Sequence, residues 1–444
     1  MQVQATLAER DLRHLWHPCS QMKHHEKIAL LPIQTAKGCW LTLSDGRRVF
    51  DATSSWWCKS LGHGHPRLKA ALLAQLEKFE HVMLAGTTNV KIVDLSEALC
   101  GLMPGLAKVF YASDGSSAVE IALKMSLHVR HLQGQTQRIQ FLCLENAYHG
   151  ETLGAMSVSD VGLYRQPYEN ILFETSVLRD LPYVNSKEDA LWQDASQAFA
   201  KQMPMLKKLA KSLTAIIIEP MLQGAGGMKI ISADFLKRLS QWAKTNDIHL
   251  IADEIMTGFG RTGKMLASEH ANITPDFICL SKGMTSGFLP MSAVLTTNLI
   301  YNYFYADKIE AGFLHSHTYS GNALAAAVAL ETLAVIREEA LVDRANELGV
   351  AMSAHLNEIR SQFDCLGEVR QLGAMAAVDV RVDNVAAFRQ AVFQCGPEHG
   401  VHLRPLGSTL YWLPPLITSE AELAQLAKAT QVTLAAALRG QHAN

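Results

Sequence analysis

The sequence has no long apolar run. Nowhere in its 444 residues does an uninterrupted apolar stretch reach the about 18 residues that a membrane-spanning helix needs. The first residues also lack the basic and apolar segments that together form a secretory leader. These two absences argue against a membrane protein and against export, so we expect the chain to work in the cytoplasm.

Positively and negatively charged residues are nearly equal in number. Lys and Arg together number 40 and Asp and Glu 42, which gives no electrostatic reason to expect a nucleic-acid or membrane partner, so the expected partners are small molecules. The eight cysteines include no C-x-x-C pair, and several lie in apolar segments. This distribution is typical of reduced core thiols and predicts neither disulfides nor a metal site.

The length exceeds the size at which a single hydrophobic core keeps growing, which favours two domains. Near-continuous apolar strands alternate with helical stretches over residues 61–335, a pattern typical of a sheet covered on both faces. We therefore predict an α/β protein. Its large domain is a doubly wound, mostly parallel sheet, and residues 1–60 and 336–444 together form a small α+β domain. The predicted strands of the large sheet cover residues 108–112, 139–144, 214–218, 248–252, 276–280 and 292–296.

Shorter patterns add local detail. The turn Ser44-Asp45-Gly46 lies between two apolar segments and predicts a β-hairpin. Pro66 opens a predicted helix over 66–80, in which Leu76 belongs to an apolar face. A long Ala-rich helix is predicted from near Asn322. Beyond residue 337 we expect the order helix, strand, strand, helix, strand, helix.

Two reactive side chains follow predicted strands. Lys282 comes directly after one apolar run, and Asp253 follows another. The carboxyl ends of parallel strands are where open α/β sheets form their ligand crevice. Pyridoxal phosphate needs a lysine amine to bond its aldehyde and a carboxylate to keep its pyridine nitrogen protonated. The pair therefore predicts an enzyme that holds this cofactor.

A phosphate group needs backbone N–H groups at the start of a helix. The strand over 108–112 runs into Ser113-Asp114-Gly115-Ser116-Ser117 and then into a predicted helix. The spacing of Ser117 and Glu120 predicts a capping box there. Taken alone, such a turn more often serves only as a helix cap than as a phosphate site.

Five segments, in this order and spacing, resemble the class III, fold-type I aminotransferases, and they span most of the chain. These segments are Asn146-Ala-Tyr148-His149-Gly150, Ile218-Glu219-Pro220 with Gly226-Gly227, Asp253-Glu254 with Thr257-Gly258-Phe259-Gly260-Arg261, Ser281-Lys282, and Thr318-Tyr-Ser-Gly321-Asn322.

The resemblance implies a role for each matching residue. Lys282 would be the catalytic lysine, covalently bonded to the cofactor, and Asp253 would pair with the ring nitrogen. Tyr148 would stack on the cofactor ring, and Glu219 would lie near it. Gly115 and Ser116 would hold the phosphate. The resemblance further implies a homodimer with both active sites at the interface, because Thr318 would reach the phosphate of the other subunit.

Three further segments narrow the resemblance to members of the family that serve biotin synthesis. They are Trp16-His17-Pro18, Ser54-Ser55-Trp56-Trp57 and His402-Leu403-Arg404-Pro405. This implies amino transfer to 8-amino-7-oxononanoate, giving 7,8-diaminononanoate, with S-adenosylmethionine as donor. Arg404 would bind the substrate carboxylate, and Trp56 and Trp57 would form an apolar wall.

The chain departs from familiar members at two places near the expected donor site. Cys19 stands where they have Tyr, and Ser316-His317 where they have Gly-Pro. The donor contacts must therefore differ in detail, and lysine or another amine is the rival donor. The rival functions are another ω-aminotransferase, acting on ornithine, 4-aminobutyrate or a similar diamine, and an aminomutase. A non-catalytic cofactor-binding protein would need a DNA-binding segment or a basic patch, and the sequence contains neither.

Overall fold

A seven-stranded sheet forms the centre of the protein. The computed structural model describes residues 6–439, so the ends of the predicted small domain, and half of the amino-terminal stretch examined for a leader, lie outside the described residues. The strands are β1 (Ile33–Lys37), β2 (Trp40–Leu43), β3 (Arg48–Asp51), β4 (Leu106–Ala112), β5 (Gln140–Leu144), β6 (Thr175–Leu178), β7 (Tyr183–Val184), β8 (Leu213–Ile218), β9 (Leu222–Gln223), β10 (Lys229–Ile231), β11 (His249–Asp253), β12 (Phe277–Leu280), β13 (Ser292–Thr297), β14 (Leu366–Leu372), β15 (Met375–Val380), β16 (Val401–His402) and β17 (Thr409–Trp412). The strand order in the central sheet is β4-β13-β12-β11-β8-β5-β6. The four pairs from β12 to β6 are parallel, and β13 is antiparallel to both of its neighbours.

Helices cover both faces of this sheet. In β12 the side chains alternate between two buried clusters, with Phe277 and Cys279 in one and Ile278 and Leu280 in the other. Because both faces are buried, the strand has no polar position, which explains its continuous apolar run. The predicted doubly wound, mostly parallel sheet is confirmed. The helices are α1 (Leu7–His14), α2 (Ser54–Trp57), α3 (Pro66–Leu76), α4 (Val90–Cys100), α5 (Gly115–Leu132), α6 (Leu153–Ser157), α7 (Gly162–Arg165), α8 (Ala190–Gln193), α9 (Ser196–Leu209), α10 (Ala233–Thr245), α11 (Asn298–Phe304), α12 (Ala323–Glu338), α13 (Leu341–Arg360), α14 (Val385–Cys395) and α15 (Glu420–Arg439).

All six predicted strands of the large sheet are present, and β6 is the seventh strand that the apolar pattern missed. The predicted hairpin is β2–β3, and α12 begins after its cap Asn322 as expected. The helix predicted over 66–80 is shorter than expected, since α3 ends at Leu76. The Leu76 side chain is 46% exposed, so the predicted apolar face is not buried at this end. Beyond residue 337 the predicted order is confirmed with one addition, the two-residue strand β16.

The two ends of the chain share a sheet. The order of the second sheet is β1-β2-β3-β16, and β16 pairs with β3 in parallel. A third sheet, β14-β15-β17, packs beside α13. These contacts support a small domain built from both termini, and its boundaries near residues 60 and 335 stay a prediction.

Each of the eight cysteines is free. Within the described part of the chain, no helix combines the length and apolar character needed to cross a bilayer. Over the same residues, no cluster of three or more His, Cys, Asp or Glu side chains is arranged to hold a metal ion.

Candidate active site

A cavity of about 1030 Å³ contains most of the predicted site residues. It lies at the carboxyl ends of the parallel strands, where Asp253 ends β11 and Lys282 follows β12. The predicted residues that line it are Cys19, Trp56, Trp57, Gly115, Ser116, Tyr148, Glu219, Asp253, Lys282 and Arg404. Of the residues that the structure describes, His317 and Thr318 are the two predicted site residues that do not line the cavity of their own chain.

Lys282 enters the cavity from a strained position in the backbone. Its φ angle is +26°, in the region that L-residues rarely adopt. The Nζ atom lies 4.7 Å from the centre of the Trp57 ring. Burial lowers the pKa of the amine, while the negative charges of Asp253 and Glu219 act in the opposite direction. The net shift favours a neutral amine, which is the form that can act as a base.

Asp253 is held from two sides. Its Oδ1 accepts a hydrogen bond from the N–H of Ile255 at 3.2 Å, and its Oδ2 lies 2.8 Å from Nδ1 of His149. An ionised carboxylate only accepts hydrogen bonds, so Nδ1 carries the hydrogen. The carboxylate is 5% exposed. These contacts hold one negative charge at the end of β11, facing the cavity.

His149 is a positioning residue to which sequence reasoning gave no role. It lies in the segment that carries the family resemblance, but only the fold brings it to Asp253, which is 104 positions away in the chain. Its Nε2 is buried and has no hydrogen-bond partner among the described residues.

The start of α5 borders the cavity at Gly115 and Ser116. The Ser116 hydroxyl lies 2.7 Å from the hydroxyl of Thr152 and accepts a hydrogen bond from the Thr152 N–H at 3.1 Å. A Cβ atom added to Gly150 would come within 2.3 Å of the Ser116 hydroxyl oxygen, so only glycine allows this close approach. The 18-residue helix therefore presents its amino-terminal N–H groups at this edge of the cavity.

The capping box predicted from Ser117 and Glu120 is wrong. The helix begins at Gly115, and its cap is Asp114, whose carboxylate accepts a hydrogen bond from the Ser117 N–H at 2.9 Å. Glu120 lies inside the helix, where its carboxylate accepts from the N–H groups of Gly154 and Ala155. Asp114 competes successfully for the cap because its short side chain reaches the third residue directly.

Glu219 supports the segment that carries Tyr148. Its carboxylate accepts hydrogen bonds from the N–H of Tyr148 at 2.9 Å and from the N–H of Gly224 at 3.0 Å. Burial raises the pKa of Glu219 to about 7, with a further increase from Asp253 and a decrease from His149 and the two N–H groups. The Tyr148 phenol donates to Glu151 at 3.0 Å.

The two tryptophans occupy different environments. Trp57 is 5% exposed, and its Nε1 donates to the hydroxyl of Tyr411 at 3.0 Å. Trp56 is 41% exposed, and the guanidinium of Arg404 lies 4.6 Å from the centre of its ring. Trp57 therefore packs beside the lysine, whereas the exposed ring of Trp56 contacts the partly buried guanidinium of Arg404.

The element α2, which carries both tryptophans, is a left-handed turn. The φ angles of Ser54, Ser55, Trp56 and Trp57 are +49°, +46°, +67° and +74°. A left-handed residue other than glycine costs roughly 1–2 kcal/mol, and such residues normally occur singly. The turn is held by the buried carboxylate of Asp51, which accepts from both the N–H and the hydroxyl of Ser55.

Cys19 borders the cavity near Glu151. Its thiol lies 3.7 Å from a Glu151 carboxylate oxygen, and burial followed by the Glu151 charge raises the pKa of the thiol. The raised pKa keeps the thiol protonated near neutral pH, so it acts as a weak donor and not as a nucleophile. Glu151, which contacts both Cys19 and Tyr148, is a second site residue that the sequence reasoning missed.

Thr318 lies on an exposed segment. Its carbonyl oxygen accepts a hydrogen bond from Nε2 of His81 at 2.8 Å, and neither its side chain nor that of His317 reaches the cavity described above.

Comparison with known proteins agrees with this geometry. A sequence profile of the family described as "Aminotransferase class-III" matches residues 21–434. The chain is 42% identical to the adenosylmethionine-8-amino-7-oxononanoate aminotransferase of Helicobacter pylori, over 95% of this chain and 96% of that protein. The enzyme of the same name from Aquifex aeolicus is 38% identical, over 94% of each chain.

Solved structures agree as well. The structure of the adenosylmethionine-8-amino-7-oxononanoate aminotransferase from Methanocaldococcus jannaschii superposes with a TM-score of 0.88 at 30% identity, covering 97% of this chain and 98% of that one. An amine transaminase from an uncultivated Pseudomonas species, in its PLP-bound form, superposes with a TM-score of 0.87 at 31% identity, covering 96% and 99%. The chain belongs to the class-III aminotransferase family.

Proposed function

We propose that this chain is a pyridoxal-phosphate-dependent aminotransferase that converts 8-amino-7-oxononanoate to 7,8-diaminononanoate, with S-adenosylmethionine as amino donor. The substrate and donor come from the names of relatives that match the chain over nearly its whole length. The observation that carries the chemistry is the presence of Lys282 and Asp253 in one cavity, at the ends of two adjacent parallel strands.

The residues of the cavity fit pyridoxal phosphate. Lys282 provides a buried amine, and Asp253 provides a carboxylate held by His149. Gly115 and Ser116 place helix N–H groups and a hydroxyl at the cavity edge, where they would hold the phosphate. When bound, the cofactor supplies an aldehyde that receives the amino group and a ring that takes up the electrons of a deprotonated carbon.

The protein side chains would transfer the protons and position the cofactor. Lys282, whose pKa is lowered by burial, would move the proton at the reacting carbon of the substrate. Asp253 would hold a proton at the ring nitrogen of the cofactor. Tyr148 would cover the ring, and Glu219 would keep the Tyr148 segment in place through its hydrogen bond to the Tyr148 N–H.

The substrate contacts follow from the polarity of the cavity. Arg404 would bind the carboxylate of the keto acid, and the rings of Trp56 and Trp57 would contact its methylene chain. Cys19 borders the cavity and would lie near the amino donor. Its thiol is a weak hydrogen-bond donor and is smaller than a phenol, so it would leave more room. The donor contacts in this chain are therefore proposed to differ from those of members with Tyr at this position.

We also propose that the active enzyme is a homodimer. Thr318 is exposed and His317 is partly buried, and neither lines the cavity of its own chain, so both would serve the cavity of the other subunit. Large apolar side chains are exposed near them, including Leu314 at 73% and Tyr319 at 64%. The cytoplasmic location stays a prediction.

One experiment tests the reaction directly. The purified protein, supplied with pyridoxal phosphate, S-adenosylmethionine and 8-amino-7-oxononanoate, should form 7,8-diaminononanoate, detected by mass spectrometry. The variant Lys282→Ala should form none, and lysine, ornithine and 4-aminobutyrate serve as competing donors in parallel reactions. Product formation only with one of those donors would replace the proposed donor, and turnover only of other keto acceptors would contradict the proposed function.

A further inference from the structure

Arg404 is fixed by two rings and is left without an acidic partner. Its guanidinium lies 4.6 Å from the centre of the Trp56 ring and 5.7 Å from that of Phe393. Between residues 6 and 439, no carboxylate forms an ion pair with it. Because these contacts are with ring faces and not with an acidic group, the N–H groups of the guanidinium remain available for an anion.

A second arginine, Arg389, borders the same cavity. It is four residues before Phe393 in α14, so the two side chains lie on the same face of the helix. Its Nε is buried and has no hydrogen-bond partner in the described part of the chain, and no described carboxylate pairs with it. A partly buried cation with an unpaired donor is costly unless an anion compensates it.

The position of the two arginines in the cavity indicates which anion would compensate their charges. The charges that act on the Lys282 amine are those of buried carboxylates and a thiol, and neither guanidinium is among them. Both guanidinium charges instead lower the pKa of the half-buried Tyr164 phenol, opposing burial and the neighbouring acids, which raise it. Lys282 lies beside the Trp57 ring and Arg404 over the Trp56 ring, so a long keto acid that reacts at the lysine would direct its far carboxylate toward the arginines.

We propose that Arg389 is a second carboxylate-binding residue, which acts together with Arg404 on the carboxylate at the far end of the keto acid. This rests on the proposed function for the identity of the substrate. Two guanidinium groups can each donate two N–H bonds to one carboxylate, and a substrate with a neutral end would leave both unpaired. The pair would thus select acceptors that carry a carboxylate far from the ketone.

The test separates binding from turnover. Nonanoate and its neutral amide, nonanamide, are titrated into the holoenzyme, and the fluorescence of tryptophan is followed. Arg389→Gln should weaken the binding of nonanoate by about 10- to 100-fold, because one to two charge-assisted hydrogen bonds are lost. The binding of nonanamide should stay unchanged. Arg389→Lys, which keeps the charge and loses the planar fork, should lie in between.

Turnover of 8-amino-7-oxononanoate provides the second readout. Arg389→Gln should raise its KM by a similar factor and leave kcat within about twofold, because the residue does not touch the reacting atoms. Arg360→Gln, at the exposed end of α13, removes the same charge outside the cavity and should change neither measurement.

Equal weakening of acid and amide would assign Arg389 a merely structural role and overturn the proposal, as would unchanged nonanoate binding in Arg389→Gln. Failure of the proposed function gives a different result. In that case the wild-type holoenzyme would bind nonanoate in preference to nonanamide, with the same loss in Arg389→Gln, but would not convert the keto acid.

Discussion

Asp253 Oδ2 and His149 Nδ1 lie 2.8 Å apart, inside a protein core that leaves both side chains almost without solvent. The hydrogen bond connects the end of β11 with the loop after β5, so it fixes the carboxylate from outside its own strand. Because Asp253 would hold a proton on the cofactor, its orientation should affect catalysis directly.

His149→Ala should lower kcat by about 10-fold or more, the effect of leaving one buried acceptor unpaired. The absorbance of the bound cofactor should also become more sensitive to pH, because the ring nitrogen is held less firmly. Absorbance titration and steady-state kinetics check both. His131→Ala, at an exposed position of α5, is the control, and an unchanged absorbance titration in His149→Ala would refute the positioning role.

Lys282→Ala should reduce amino transfer by at least about 10²–10⁴-fold, because it removes the proton-transferring base as well as the covalent attachment. Borohydride treatment of the wild-type holoenzyme should retain the cofactor on the peptide that contains Lys282, as read by mass mapping. Lys264→Ala removes an exposed lysine and should leave the adduct and the activity intact. Recovery of the adduct on another lysine would refute the assignment.

The carboxylate of Asp51 stabilises the left-handed turn of α2 through hydrogen bonds. Its carboxylate accepts from the Ser55 N–H at 3.0 Å, from the Ser55 hydroxyl at 2.7 Å and from Nε2 of His63 at 2.9 Å. Asp51→Ala should lower the free energy of unfolding by about 3 kcal/mol, since several donors lose their partner. It should also raise the KM for the keto acid, because Trp56 is no longer held.

Chemical denaturation and steady-state kinetics measure these two effects. Asp45→Ala, which removes an exposed aspartate paired with Arg47, should change the free energy of unfolding by less than about 1 kcal/mol. If Asp51→Ala were as stable as Asp45→Ala, the strained turn would have another support.

Glu219 should make stability depend on pH. Its pKa is 4.5 in an unfolded chain and about 7 in the folded protein. Between these values the folded state binds more protons than the unfolded state, so this residue's contribution to stability falls as the pH rises. The melting temperature of Glu219→Gln, relative to wild type, should therefore increase across this window and level off above it.

This difference is measured on cofactor-free protein by thermal unfolding at several pH values. Glu310→Gln, at an exposed position, should show a constant difference from wild type. A constant difference for Glu219→Gln too would mean that the carboxylate stays ionised throughout.

The proposed dimer can be tested by mixing two inactive variants. Thr318→Asp places a negative charge where a phosphate would bind, and Lys282→Ala lacks the base, so each variant alone should be inactive. If Thr318 serves the other subunit, the co-expressed pair forms a heterodimer with one intact site, and about half of the activity per heterodimer should return. A threonine that serves its own chain would restore none.

Much of this protein could be predicted from local sequence. The apolar runs identified six of the seven strands of the large sheet, because a strand buried on both faces has no polar position. The short strand β6 was missed, since three of its four residues are only partly buried and carry no continuous apolar signal. The predicted capping box was wrong because both Asp114 and Ser117 could cap a helix here, and the spacing alone does not show which of them does.

The sequence by itself determined the chemistry. A lysine and an aspartate that follow strands, with the motifs around them, sufficed to indicate the cofactor, the family and ten of the residues in the cavity. Only the tertiary structure decided that His149 holds Asp253, that Asp51 supports a left-handed turn, that Arg389 borders the same cavity as Arg404 and that Thr318 lies outside its own cavity. The physical reason is that strand and helix patterns depend on neighbours along the chain, whereas hydrogen bonds and unpaired charges depend on contacts between residues far apart in it.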